Sequence, residues 1–338
     1  MSEQGSRIIV STMKDEGPYV LEWLAYHKVI GFDHFVVYAN DCWDMTSEIL
    51  QTMAAHFGII SYWDNTTLPD FGDVENQDPQ RRAYLRAHRL NRVKQAEYVL
   101  VIDADEFLNV HARSGTLDDL IDAAPPFEAM SLTWKLFGSS GRVEMTDNPV
   151  IDQFTQCKPD QQVSVMRKLG IKTLFRPNRV EKIGVHRPFH LDAIRTGQVS
   201  IPWLNGSGID HFDYYKALSW HATPGTQGNA LAEINHYPIK SAEAFLMKMR
   251  RGSANSHDAD RISWMYWKYY DLNDAVDKSI QRHIPAVKAQ IQDWYAQCPE
   301  LEDMHRASFD MHKSIASEMK NLLQQDDPRF LKRLKLSV

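Results

Sequence analysis

The chain reads as an α/β protein: a mostly parallel sheet flanked by helices, followed by a helical C-terminal extension. Three observations predict this. Over residues 7–102, β-type runs alternate with helical patterns in the order β-α-β-α-β-α-β, as a parallel sheet with crossover helices requires. The fourth run, Tyr98-Val99-Leu100-Val101-Ile102, is apolar throughout, which suits a strand in the middle of a sheet. From Ser241 onward the periodicity turns helical, through Ala244, Phe245 and Met249, then Trp264, Trp267 and Tyr270, then a long polar helix carrying Val287, Ile291 and Trp294.

Each element has its own signal. Arg7 to Met13 is a strand centred on Ile8-Ile9-Val10, and Gly17-Pro18 punctuates the loop after it. A helix runs from Tyr19 to Ile30, with Gly31 placed to cap its end. His34 to Ala39 is the second strand. Thr46 or Ser47 caps a helix with Ile49, Leu50, Met53 and Phe57 on one side, and Gly58 ends it. Ile59 to Trp63 is the third strand, and Asp64 to Gln77 a polar loop. Asp78-Pro79 supplies a capping carboxylate and a first-turn proline for a helix running to Gln95. Beyond Asp105 the alternation stops. Strands are expected at Met130–Trp134, Ile171–Phe175, around Val180 and at Ile234–Tyr237, with an aromatic, loop-rich stretch over residues 203–228. The division this suggests is a catalytic α/β unit over residues 1–240 and a helical region over residues 241–338.

The bulk numbers exclude some classes. Hydrophobic residues make up 43% and charged residues 24% of the 338, an ordinary globular balance. A net charge of −6 disfavours a nucleic-acid binder, which works by neutralising phosphates. Cys42, Cys157 and Cys298 are scattered and form no C-x-x-C, so neither a disulfide framework nor a zinc site is expected. The start shows no basic-then-apolar leader, and no apolar run approaches the roughly 18–20 residues of a spanning helix. The expected location is cytoplasmic. The basic, amphipathic tail Arg329–Leu336 suggests either a last helix packed on its own domain or peripheral contact with the inner face of a membrane.

Chemistry concentrates where the fourth strand ends, in Asp103-Ala104-Asp105-Glu106. The C-terminal ends of strands are where open α/β sheets place ligands. Two aspartates one residue apart can turn toward one point, and their repulsion calls for a cation; oxygen ligands suit Mg²⁺ or Mn²⁺ bridging to phosphates. The bland alternative is an acidic loop after a core strand. His236, on the short strand Ile234-Asn235-His236-Tyr237, is the candidate third ligand; the alternative is a core histidine bonded to a carbonyl. Lys240, Lys248 and Arg251 surround a helix start and could neutralise a diphosphate leaving group, or could be a solvated basic face. Thr12, Lys14 and Glu16 follow or end the first strand and Asp41 the second, so all fall on the edge of Asp105, where they could contact a nucleoside. His186 and His190 are a weaker metal pair.

Taken together these blocks resemble a family. Met13-Lys14-Asp15-Glu16-Gly17-Pro18-Tyr19-Val20-Leu21-Glu22-Trp23, Gly31-Phe32-Asp33-His34-Phe35, Tyr38-Ala39-Asn40-Asp41-Cys42, Asp103-Ala104-Asp105-Glu106-Phe107, Trp134-Lys135-Leu136-Phe137-Gly138 and Asn235-His236-Tyr237-Pro238-Ile239-Lys240, followed by Phe245, Lys248 and Arg251-Gly252, occur in that order. The set is similar to a glycosyltransferase family 2-like group related to glycosyltransferase family 92. The resemblance implies a GT-A fold, a nucleotide-sugar donor and a divalent metal on the D-x-D residues completed by a later histidine. It further implies that Asp41 and the Lys14-Asp15-Glu16 loop contact the nucleoside. No motif of the group covers the C-terminal helices.

One departure stands out. Family 2 enzymes carry a Glu-Asp pair well after D-x-D whose second acid is the base, and no such pair lies between Ser131 and Arg251. An inverting transfer needs a carboxylate to take the acceptor proton. Asp210 and Asp213, among aromatic residues able to stack on sugars, are favoured over Glu144 and Asp147. The expected activity is therefore a metal-dependent, inverting transfer of a sugar to a glycan or lipid-linked acceptor. The rivals are a non-catalytic glycan- or partner-binding domain and a nucleotidyl transferase.

Overall fold

A computed structural model describes residues 5–67, 78–159, 169–217, 219–251 and 263–336. Part of the expected polar loop (residues 68–77) and Gly252 lie outside the described residues. One ten-stranded mixed sheet organises the chain. Its strands are β1 (Arg7–Met13), β2 (His34–Ala39), β3 (Ile60–Asp64), β4 (Tyr98–Val101), β5 (Glu106–Val110), β6 (Ala129–Leu136), β7 (Leu169–Phe175), β8 (Trp203–Asn205), β9 (His221–Ala222) and β10 (Ala232–His236). The order is β3-β2-β1-β4-β7-β6-β10-β5, with β8 beside β6 and β9 beside β7. The first four strands pair in parallel. β7 then runs antiparallel between β4 and β6, and β10 returns parallel to β6. The strand ends after β1, β2, β4, β6 and β10 therefore share one edge.

Burial on both faces explains the continuous apolar runs. Ile9, Leu100 and Ile102 enter one core with helix α1 (Gly17–Val29) and helix α2 (Thr46–Phe57), while Ile8, Val10, Val99 and Val101 enter a second core with helix α3 (Pro79–Arg89). The expected punctuation holds: Gly58 sits at φ 64° after α2, and Asp78 accepts the Arg81 N–H at the head of α3. The helix expected to reach Gln95 breaks at Leu90, which is extended, and a separate turn over Asn91–Lys94 follows. The break lets Leu90 and Val93 both face the second core. β5 was not expected. Its Glu106 and Asn109 are buried polar residues, which disguised a strand that pairs antiparallel with β10.

The C-terminal region is helical as expected: α4 (Ala242–Arg251), α5 (Trp264–Tyr270), α6 (Ile284–Gln297), α7 (Glu300–Asp326) and α8 (Pro328–Arg333). The helix expected through Val287, Ile291 and Trp294 is α6, and a break at Cys298-Pro299 separates it from α7. Val287, Trp294 and Leu301 join the first core across the sheet-helix layer. Phe330, Leu331, Leu334 and Leu336 pack with Ile239, Phe245, Leu246 and Trp267 in a third cluster. The apolar side of the tail is therefore buried within the chain, and membrane contact through it would require its release. No described helix is long and apolar enough to cross a membrane.

Leu331 is fully buried in that third cluster. Leu331→Ala is expected to cost about 2–5 kcal/mol through lost burial and a cavity. Urea denaturation of the two proteins measures it; a change below about 0.5 kcal/mol would mean the tail does not dock.

Candidate functional site

The site forms because the chain leaves the sheet after Val101 and re-enters it at Glu106. In the turn between, the Asp105 carbonyl accepts the Tyr237 N–H at 2.8 Å, which pins Asp105 to the end of β10 beside His236. Asp105 is 9% exposed; one carboxylate oxygen stands 3.5 Å from His236 Nε2 and the other 3.2 Å from Lys248 Nζ. Burial works to raise its pKa, but Lys248 and then His236 hold it well below the usual carboxylate value. The His236 ring packs 4.4 Å from Trp134, and its buried Nδ1 has no partner among the described residues.

Asp103 does not join this group. Its oxygens accept Lys172 Nζ at 2.9 Å and Gln80 Nε2 at 2.8 Å. Asp103, Asp105 and His236 do not each bring a ligand atom within 4.8 Å of the others; among the described residues the three that do are Asp15, Cys42 and Asp44. Lys172 is fully buried and lies 3.2 Å from Glu106 as well. Burial disfavours its charge, yet Asp103 and Glu106 outweigh that and push its pKa up. Glu106 accepts the Asp103 N–H at 2.8 Å, so it braces the turn rather than orienting Asp105. Sequence reasoning passed over Lys172, although a single lysine inside the apolar run Ile171–Phe175 signals a buried, paired cation.

The basic residues do converge: Lys240 is buried and Lys248 and Arg251 are half-buried, so they are not a solvated face. Lys240 opens α4 at φ 55°, with Nζ 3.9 Å from Glu16 and 4.2 Å above the Tyr19 ring. Arg251 donates to the Lys14 carbonyl at 2.6 Å and to the Glu16 carboxylate. Burial lowers the Lys240 pKa; for Lys248, Tyr266 and Asp105 overcome burial and raise it. These three cations share a small cavity with Asp15, Tyr19 and His312. His312 comes from α7, and no sequence signal pointed to it.

Around the nucleoside candidates, Thr12 lies near the end of β1 and pairs with Tyr38 of β2. Asp41 is exposed at φ 45°, its N–H bonded to Thr66. Asp15 is 1% exposed; one oxygen accepts the Trp43 N–H at 2.9 Å, and the other has no partner among the described residues. Asp44 accepts the Gly17 N–H, Thr46, Ser308 and His312 at 2.5–3.2 Å, so it clamps α1, α2 and α7 together. With its oxygens taken, the Asp15, Cys42 and Asp44 group is a structural joint.

The acids considered for proton removal lie elsewhere. Asp210 bridges to Leu204, which pairs with Met130, whereas His236 pairs with Leu136 at the far end of the same strand. Six residues of strand separate them by about 20 Å. Asp210 caps the Phe212 N–H, Asp213 pairs with Lys216 at 2.5 Å, Asp147 bonds His305 at 2.8 Å, and Glu144 is exposed. His186 bonds the Ile171 carbonyl and His190 packs 4.9 Å from Trp203, so the two form no metal pair.

Comparison with known proteins bears on this geometry. The glycosyltransferase family 92 profile matches residues 10–262. A rice (Oryza sativa subsp. japonica) protein described as a glycosyltransferase family 92 protein is 24% identical over 227 residues, or 64% of this chain. That match spans only 34% of the relative's own length. Among solved structures, the mannosyltransferase PcManGT from Pyrobaculum calidifontis, in complex with GDP-Man and Mn²⁺, aligns over 96% of this chain and 76% of its own at 13% identity and a TM-score of 0.37. HddC from Yersinia pseudotuberculosis aligns over 62% of this chain and 97% of its own at 12% identity and a TM-score of 0.31.

Burial raises the Asp15 pKa from 3.8 to about 6. The folded state therefore holds this proton more tightly than the unfolded chain does. Its contribution is fully present below pH 3.8 and is lost as pH rises through about 6. Stability should fall over that window by an amount on the order of 3 kcal/mol from this group. Denaturation midpoints of wild type and Asp15→Asn across pH 4–7 test this: the variant's profile should be flatter, and parallel profiles would refute the assignment.

Proposed function

The chain belongs to glycosyltransferase family 92, and from that premise we propose that it moves a sugar from a nucleotide-diphosphate donor, held with Mn²⁺ or Mg²⁺, to a saccharide acceptor. The observation that carries the reading is Asp105: a buried carboxylate kept ionised between His236 and Lys248, with Lys240 and Arg251 lining the adjoining cavity.

The residues fit a divalent ion. Two ligands of one small cation, each about 2.1 Å from it, stand roughly 3–4 Å apart. The Asp105 and His236 atoms are 3.5 Å apart, and a carboxylate with an imidazole suits an ion of the Mn²⁺ type. Two protein ligands leave positions for water and phosphate oxygens, as such sites commonly do. When bound, the ion would neutralise the diphosphate and favour its departure.

The chain's own residues would do the rest. Lys248 and Lys240 would meet the negative charge that grows on the leaving diphosphate. Asp103, held by Lys172 and Gln80 but with 28% of its side chain exposed, would accept a ribose hydroxyl. Thr12, Lys14, Glu16 and Asp41 would border the nucleoside at the same edge, with Arg251 holding Glu16 and the Lys14 carbonyl in place. Inversion stays outside the proposal, because Asp210 and Asp213 do not reach this pocket.

Calorimetric titration of UDP and GDP, with and without Mn²⁺, tests the reading. Wild type should bind at least one nucleotide more tightly with Mn²⁺. Asp105→Asn should lose at least tenfold of that metal-dependent affinity, with its circular dichroism unchanged. Absence of any nucleotide binding would sink the proposal. Pyrophosphate release from a nucleoside triphosphate would replace it with nucleotidyl transfer.

A further inference from the structure

Around Trp134, whose ring packs on His236, a cleft of about 200 Å³ opens at the end of β6. Thr133, Trp134, Ser207, Gln227, Asn229 and Glu233 contribute to its walls. We propose that this cleft is the acceptor site, that it takes a saccharide through its hydroxyls, and that the acceptor chain runs outward over Trp220. The inference rests on the donor reading above, and it adds the place of the second substrate.

Position is the first argument. Trp134 lines the cleft and its ring lies 4.4 Å from the His236 ring, so an occupant of the cleft sits next to the group proposed to hold the donor metal. The indole is fixed there. A Cβ on Gly170 would stand 2.6 Å from its ring, so the bare glycine backbone is what gives the ring its seat.

Chemistry is the second. Ser207, Gln227 and Asn229 put a hydroxyl and two amides on the walls, and Trp134 adds an indole. Hydroxyl and amide groups bond neutral hydroxyls, and an indole suits the apolar face of a sugar ring. An anion is a poorer match, because Lys135 is already engaged by Asp277 at 2.6 Å and Glu233 at 3.3 Å. An apolar tail would strip water from these polar walls without replacing its hydrogen bonds.

The third argument is an aromatic line leading out. The Trp134 and His186 rings are 5.6 Å apart, as are the His186 and Trp220 rings. His186 is anchored by its bond to the Ile171 carbonyl at 3.0 Å, and Trp220 is 45% exposed. A large aromatic ring held at the surface in line with a polar cleft suits a further sugar ring stacking on it.

The test uses the full chain and a panel of di- to tetrasaccharides of glucose, galactose, mannose and N-acetylglucosamine. Binding is read by saturation-transfer NMR and calorimetry, and UDP and GDP binding with Mn²⁺ is read separately. Wild type should bind at least one saccharide. Gln227→Ala, on the cleft wall, and Trp220→Ala, at the surface, should each weaken that binding about tenfold while nucleotide binding is unchanged. Nucleotide binding without any saccharide binding would overturn the acceptor assignment and leave the donor reading standing. Saccharide binding that neither variant weakens would also overturn it. Saccharide binding sensitive to both variants without nucleotide binding would uphold the cleft and remove the donor reading.

Discussion

The compensation of charge at the end of β4 is the constraint on which the site depends. Asp103, Asp105 and Glu106 enter a buried edge within four residues, where an unpaired charge costs several kcal/mol. Each finds a different solution. Asp103 takes Lys172 from β7, Glu106 takes the Asp103 N–H and the same lysine, and Asp105 takes Lys248 from α4 with His236 beside it. The antiparallel insertion of β7 next to β4 is what brings Lys172 under the turn.

The two lysines are not equivalent. Lys172 is fully buried, touches two carboxylates and donates to the Val185 carbonyl at 3.2 Å, so it belongs to the framework. Lys248 reaches Asp105 from the margin of the cavity and also donates to the Pro238 carbonyl at 2.6 Å. A fixed cation below the turn and a peripheral one beside it leave Asp105 as the acid with freedom to take another partner. The helical region adds to the same edge through α4 and through His312 and Ser308 on Asp44, so residues beyond 240 line the cation-bearing cavity as well as cover the core.

Much of the fold was legible in sequence because the first half obeys local rules. β1 and β2 fall where the apolar runs place them, and Gly58 and the Asp78-Pro79 pair punctuate α2 and α3 as their chemistry dictates. What hid was non-local. β5 could not be seen because its polar residues are buried by β10, more than a hundred positions away. The convergence of Asp105 with His236 and of Lys240, Lys248 and Arg251 on one cavity was legible from their place at strand and helix ends. Lys172, His312 and Asp44 were missed because tertiary packing alone gives them partners. Asp210 and Asp213 were chosen for aromatic surroundings, a property of composition that says nothing about which end of β6 they occupy.

The D-x-D spacing shows how two acids one residue apart can part in three dimensions. Two residues one apart share a face only while the backbone stays extended. Here the strand ends at Val101, residues 104–105 form a turn, and the next strand starts at Glu106. The turn sends Asp103 back toward α3 and β7 and Asp105 forward to β10 and α4. The motif thus divides into an acid anchored by Lys172 and Gln80 and an acid set beside His236 and Lys248, and the pair to examine for metal chemistry is Asp105 with His236. That pair is joined by the Tyr237 N–H on the Asp105 carbonyl, a backbone bond that holds whatever side chains stand at either position. The placing of Asp105 beside His236 is therefore a property of the β5 and β10 pairing, and it fixes where the carboxylate and imidazole meet.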